Sequence, residues 1–284
     1  MMPAEQNIAK ENRFQFGKNW TKFLRVLNDE RIAEAEKSLQ EMLKVNDLRG
    51  KTFLDVGSGS GLFSLAAARL GASRIHSFDY DSQSVACTQR LKDMYYRDSV
   101  HWSVEQGSAL DADYLSKLGQ WDIVYSWGVL HHTGDMKRAL ETMIPLVKDD
   151  GALFIAIYNK QRIATNLWTG IKRTYVRGGT LVRGIILTVC IGYFILRGLF
   201  ADLLRWRNPL KRYTEQYTPR GMSVFYDWID WVGGYPFETA KPEEIFCFYR
   251  KRGFTLEKLV TCYGTSGINE YVFRKMPAAA KQRV

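Results

Sequence analysis

The sequence predicts an α/β fold built on a doubly wound, largely parallel sheet. Short β-rich runs alternate with helical stretches through the first half of the chain, and a glycine-rich turn follows the first run. The 284 residues, 46% of them hydrophobic, suffice for a full core. The amino terminus lacks the basic start and apolar core of an export signal, so the chain is expected to stay in the cytoplasm. Cys87, Cys190, Cys247 and Cys262 stand far apart with no paired spacing, which argues against disulfides and structural zinc.

In chain order, residues 1–48 form a cap in which Phe14 to Trp20 (FQFGKNW) precedes an amphipathic helix over Glu30 to Leu43. Phe14, Phe16 and Trp20 either cover a ligand site or pack on the core. Residues 51–56, 74–79, 101–105, 122–127 and 152–158 read as strands, and 61–71, 82–96, 111–118 and 135–148 as helices. This strict alternation requires parallel strands with right-handed crossovers and defines a core over 49–159. An insertion, 160–240, interrupts it. A helix over 242–254 and strands over 254–262 and 269–275 complete the core, the strands joined by the Tyr263–Gly267 loop as an antiparallel hairpin. Residues 276–284 read as a tail.

In such a sheet a ligand lies beyond the carboxyl ends of the strands, where the first strand opens onto its helix. Gly57, Gly59 and Gly61 occupy that turn. Glycine there leaves room for a ligand and permits φ > 0, which can bring backbone N–H groups inward. The spacing is not G-x-G-x-x-G, because Leu62 and Ser64 stand where its third glycine would fall, so a dinucleotide pyrophosphate is not expected.

The stretch Leu54-Asp55-Val56-Gly57-Ser58-Gly59-Ser60-Gly61 resembles the first motif of the class I S-adenosylmethionine-dependent methyltransferases. The resemblance covers roughly residues 50–160 and 240–275 and implies a seven-stranded Rossmann-like sheet of order 3-2-1-4-5-7-6. It implies that S-adenosylmethionine is the cofactor, with Asp55, Gly57, Ser58, Gly59 and Gly61 along its methionine part. Asp79, with Tyr80 beside it, takes the place of the acidic residue that reads the ribose hydroxyls. Two vicinal hydroxyls suit one carboxylate, and a 2′-phosphate would be repelled. Asp81 fits better as the N-cap of the next helix. Ser108 and Ala109 stand where the family contacts adenine.

The stretch DIVYSWGVLHHT, residues 122–133, is similar to the corresponding segment of methyltransferases acting on small molecules and quinones, and of a tRNA branch. It places Ser126 and Trp127 beside the cofactor. It lacks both the Asp/Asn-Pro-Pro-aromatic tetrad of base-flipping enzymes and a carboxylate cluster for magnesium, so no metal is expected. His132 is the candidate general base, expected to titrate near the working pH. His131, Tyr158, Asn159, Tyr235 and Glu238 are candidate acceptor contacts.

Residues 160–220 hold twelve Lys or Arg against Asp202 and Glu215, which accounts for the whole net charge of +10. At their centre Gly184 to Leu196 is uncharged for thirteen residues, short of the roughly 20 that cross a bilayer. An interfacial helix on anionic lipid at the inner face of the membrane is one reading. A lid packed on the core or on a second subunit is the other, and RNA ranks behind both because the segment's centre is apolar. Together these features point to O-methylation of a small or lipid-linked acceptor. The alternatives are an RNA methyltransferase and a non-catalytic cofactor-binding or membrane-docking protein.

Overall fold

The computed structural model describes residues 13–204, 206, 208 and 224–277. Expectations for 1–12, for the insertion's Arg205, Arg207, Lys211, Arg212, Glu215 and Arg220, and for the end of the tail lie outside the described residues. Helices α1 (Phe16–Phe23) and α2 (Asp29–Leu43) precede β1 (Thr52–Val56), α3 (Leu62–Arg69), β2 (Arg74–Asp79), α4 (Ser82–Tyr95) and β3 (Trp102–Gln106). Then come α5 (Ala112–Leu118), β4 (Trp121–Trp127), α6 (Met136–Met143) and β5 (Val147–Tyr158). The insertion supplies α7 (Arg162–Arg177), α8 (Thr180–Leu204) and α9 (Val224–Gly233). Helix α10 (Pro242–Arg250) and the hairpin β6 (Phe254–Val260) and β7 (Ile268–Lys275) close the fold.

The sheet order is β3-β2-β1-β4-β5-β7-β6, with β7 antiparallel to both its neighbours. Strand alternation divides the interior in two. Phe53, Ile75, Ile123, Tyr125 and Phe154 join Leu39 of α2 and Leu65 of α3 on one face. Leu54, Val56, Val124, Leu153 and Ile155 join Leu140 of α6 and Tyr249 of α10 on the other. Both faces of the central strands are covered, which explains their nearly unbroken apolar sequences.

Two elements differ from the sequence reading. Strand β5 begins at Val147, because the chain makes an excursion between the Trp121–Val147 and Ile123–Ala152 pairs. Asp150 takes φ 60° in that excursion, so the polar VKDDG stretch, whose Val147 and Lys148 the sequence reading assigns to the end of a helix, belongs to the strand. Helix α8 runs for 25 residues and contains an 18-residue window of mean hydropathy 2.0, long and apolar enough by length and composition to cross a bilayer. The thirteen-residue count fails because it stopped at charges, whereas the helix continues through Arg183 and Arg197 and spans about 37 Å.

The α8 helix has two unlike faces. Inward, Phe194 stacks on Trp168 of α7 at 5.8 Å and meets Trp228 of α9 at 5.5 Å, with Cys190 buried nearby. Outward, Leu181, Ile185, Val189, Tyr193, Leu196 and Phe200 recur every three or four residues and are all exposed. A lid that hides its apolar surface on its own core is therefore not what this helix forms.

Candidate active site

The glycine turn between β1 and α3 is held by strand β2. Gly57 and Ser58 donate backbone N–H to the Phe78 carbonyl, Gly59 donates to Asp79 Oδ2 at 3.0 Å, and Gly61 donates to the Ser58 carbonyl. Four consecutive-turn donors are thereby consumed within the protein, contrary to the expectation that they face a ligand. A phosphate cradle needs those donors free, so the turn is not built as one.

The glycines also meet protein. At φ 79°, a Cβ on Gly57 would stand 2.5 Å from Val129 Cγ1; at φ 56°, one on Gly59 would stand 2.9 Å from Trp20 Nε1. At φ 80°, Gly61 would strike the Thr88 backbone at 2.9 Å. The turn is bare because Trp20, Val129 and helix α4 close on it.

Beside it opens a cavity of about 1710 Å³. Asp55, Gly57, Ser58, Gly59, Asp79, Tyr80, Ser108, Ala109 and Trp127 line it, as do His132, Tyr158 and Tyr235. A site for one ligand occupies roughly 300–1,000 Å³, so this one has room for a cofactor and an acceptor. Its described wall carries eight carboxylate residues (Asp55, Asp79, Asp81, Asp111, Asp113, Asp135, Asp230 and Glu270) against Arg13 and Arg138. An acid-rich cleft in a chain of net charge +10 favours a cation and disfavours phosphates.

Two carboxyls stand out, Asp55 buried and Asp79 half-buried. Asp79 accepts from Gly59 and, through Oδ1, from the Asp81 N–H at 2.9 Å, which leaves about two of its four lone-pair positions for a ligand. Burial pushes it up to about 6. Asp55 accepts from Ser64 Oγ at 2.5 Å, and burial, with the Asp79 charge adding to it, pushes Asp55 up to about 7. A bound cation or pair of hydroxyl donors would relieve both. Asp81 caps α4 through the Gln83 N–H and also holds the Gly17 N–H of α1 at 2.8 Å, so the cap segment is pinned beside the site.

The sequence-predicted residues do not all reach the cavity. Gly61 is the turn into α3 and lies behind the wall. Ser126 is buried and donates to the Val56 carbonyl at 3.1 Å. Asn159 ties β5 to the hairpin, donating to the Thr265 carbonyl and accepting from Asn269. Glu238 accepts from the Met136 N–H at the start of α6. His131 is fully buried, packed between His132 and Tyr158, and its charged form is strongly disfavoured by that burial. Each does structural work that a motif cannot reveal, because the partner is remote in sequence.

His132 lines the cavity, yet burial pushes it down to about 3. Its Nδ1 donates to the Pro236 carbonyl at 2.6 Å, which fixes the neutral tautomer with Nε2 as an acceptor. The expectation of a base titrating near neutrality is corrected: the ring is a neutral hydrogen-bond acceptor. Sequence reasoning missed Arg13, which donates to the Thr133 carbonyl at 2.8 Å, and Asp230 and Trp231 of α9, which help build the wall. It also missed Lys172, fully buried on α7. Its one signal was four-residue spacing from Trp168 and to Val176, which puts it on an apolar helix face.

The sheet order and the glycine turn with its acidic partner on β2 define the Rossmann-like fold of class I methyltransferases. A family profile described as a methyltransferase domain matches residues 27–183, and the chain belongs to that family. It is a methyltransferase that uses S-adenosylmethionine. The ubiquinone biosynthesis O-methyltransferase of Coxiella burnetii is 28% identical over 186 residues, covering 62% of this chain and 73% of that one. An O-methyltransferase family protein from Burkholderia thailandensis superposes with TM-score 0.53 at 12% identity, over 95% of this chain and 66% of that one. The magnesium protoporphyrin IX methyltransferase of Synechocystis with bound S-adenosylmethionine gives TM-score 0.50 at 12% identity, over 90% and 83%.

Proposed function

We propose that the protein methylates a hydroxyl on a small, ring-bearing acceptor that resides in or is linked to a membrane lipid. The observation that carries this is an aromatic group on the cavity wall, Tyr158, Trp231 and Tyr235 beside the neutral His132. Flat aromatic walls suit a ring, and Nε2 of His132 can accept from its hydroxyl and aim the oxygen's lone pair. The O-methyltransferase relative points the same way. S-adenosylmethionine supplies the methyl group from its sulfonium. Asp79 is assigned to the ribose hydroxyls, Tyr80, Ser108 and Ala109 to the adenine end, and Asp55 with the Gly57–Gly59 turn to the methionine end.

Access from a membrane rests on the outer face of α8. Burying a Leu, Ile or Phe side chain is worth about 1.5–3 kcal/mol, so six exposed residues supply on the order of 10 kcal/mol. That competes with an association cost of about 4–15 kcal/mol, and the surrounding cations add attraction to anionic headgroups. Because mid-helix Cys190 and Phe194 face the rest of the insertion, the helix is assigned to lie on the bilayer, with the protein peripheral to it. Its outer face is apolar, which fits lipid better than an RNA backbone.

Methyl-tritiated S-adenosylmethionine, with a long-chain alkyl catechol in vesicles of phosphatidylglycerol or phosphatidylcholine, tests both parts. Label transfer to the catechol, together with flotation on the anionic vesicles that Ile185→Glu/Leu196→Glu abolishes, supports the reading. Cofactor binding without transfer overturns the acceptor class, and flotation unaffected by the double substitution overturns the docking face.

A further inference from the structure

Lys172 is a cation where an apolar residue would pack at lower cost. Its side chain is 0% exposed, on the first helix of the insertion. The ammonium donates to the Trp231 carbonyl and lies 4.7 Å from the Trp231 ring, 4.6 Å from Phe237 and 5.7 Å from Tyr158. These three rings come from α9, from the return into the core and from β5, so one charge joins three segments. Two of them, Trp231 and Tyr158, wall the acceptor end. Lys172 itself is not on the wall, so it acts through them. Even with the Asp230 charge facing it, burying an amine against one carbonyl and three ring faces costs more than a hydrophobic isostere, and cation–π contacts strengthen when desolvated. Packing alone does not account for a lysine here.

We propose that Lys172 is a positioning residue that fastens the insertion to the catalytic core, its ammonium holding Trp231 against Tyr158 and so shaping the acceptor wall. The effect on acceptor binding rests on the acceptor chemistry proposed above; the effect on the wall does not. The groups facing the ammonium are its counter-charge Asp230 on α9, the Cys190 thiol on α8, and His131 and His132 after β4. Burial pushes Cys190 up and both histidines down, while Lys172 itself is pushed down to about 7. The seat thus disfavours the ammonium, so by linkage the closed arrangement is favoured further as pH rises above about 7, where the neutral amine still donates to the Trp231 carbonyl.

Hydrogen exchange of the 224–240 segment in the full-length protein, corrected for the intrinsic pH dependence of exchange, reads the clamp directly. In the wild type, protection should rise at least threefold between about pH 6 and pH 8. Lys172→Met should exchange about tenfold faster at pH 6, with no remaining pH step and with S-adenosylmethionine affinity unchanged. Its thermal midpoint should stay the same or rise, because a buried charge has been removed. Lys172→Arg, which serves if the Met variant fails to fold, should abolish the step by keeping its charge throughout. With the alkyl catechol, the Met variant should show a raised KM at nearly unchanged kcat. A lysine that merely fills space predicts full protection in the Met variant, and that result, or a pH step persisting in Lys172→Arg, overturns the proposal. Failure of the wild type to methylate the catechol would overturn only the acceptor reading.

Discussion

Replacing Asp79 with Asn keeps the side chain's shape and removes its charge at the proposed ribose site. In the wild type both carboxylate oxygens already accept a backbone N–H, from Gly59 at 3.0 Å and Asp81 at 2.9 Å. Two lone-pair positions remain, and two charge-assisted hydrogen bonds there are worth about 1.5–3 kcal/mol each. The amide must set its NH₂ against one of the two backbone donors and keeps at most one neutral bond to the ligand. The expected loss is about 2–4 kcal/mol, or roughly 30- to 1,000-fold in the dissociation constant for S-adenosylmethionine.

The pH dependence has a definite sign. Burial raises Asp79 from 3.8 to about 6, so its contribution to stability is present below pH 3.8 and is lost as pH rises through 6. That charging cost is at most about 3 kcal/mol, and ligand hydroxyls that favour the carboxylate would recover part of it. Wild-type affinity should therefore weaken as pH falls below 6, while Asp79→Asn should be flat. Calorimetric titration at about pH 5 and pH 8 measures both. Affinity of the folded variant within threefold of the wild type at the higher pH would refute the ribose assignment.

Gly57→Ala places a Cβ 2.5 Å from Val129 at φ 79°, whereas Gly50→Ala at φ 74° meets nothing within 4 Å. Urea midpoints should show about 3 kcal/mol or more lost for the first and about 1 kcal/mol for the second. Ser64→Ala removes the 2.5 Å hydrogen bond to Asp55 and should cost about 1–3 kcal/mol, more above pH 7, where that carboxyl is charged. His132→Ala should lower methyl transfer to the alkyl catechol while leaving S-adenosylmethionine affinity within about twofold. Because His132 is depressed to about 3, the wild-type pH–rate profile should carry no limb near 6.5 that this substitution removes.

The parts of the molecule that were legible are those whose partners are close in sequence. Strand and helix periods, the Gly57–Gly61 turn, Asp79 at the end of β2 and the hairpin around Tyr263–Gly267 each depend on a window of a few residues. Asp81 could be read as a cap for the same reason, since its acceptor bond goes to Gln83. Where the partner is distant, local reading assigned the wrong job. Glu238 looked like an acceptor contact because it follows Tyr235-Pro236-Phe237, yet it caps a helix that begins 102 residues earlier. Lys172 stood among twelve basic residues and was indistinguishable from a solvated one until α7 and α9 came together.

This division follows the two halves of the reaction. On the proposed reading the cofactor end is assembled from residues 54–61, 79–81 and 107–109, the carboxyl ends of β1 and β2 and the loops after β1, β2 and β3, which the fold builds locally. On the proposed reading the acceptor end is assembled from His132, Tyr158, and Trp231 and Tyr235 of the insertion. Apart from Tyr158, which ends β5, and His132, which follows β4, its walls come from segments outside the sheet. The proposed reading assigns acceptor choice to the insertion and to what fastens it, so exchanging residues 160–240 should alter the acceptor while S-adenosylmethionine binding persists.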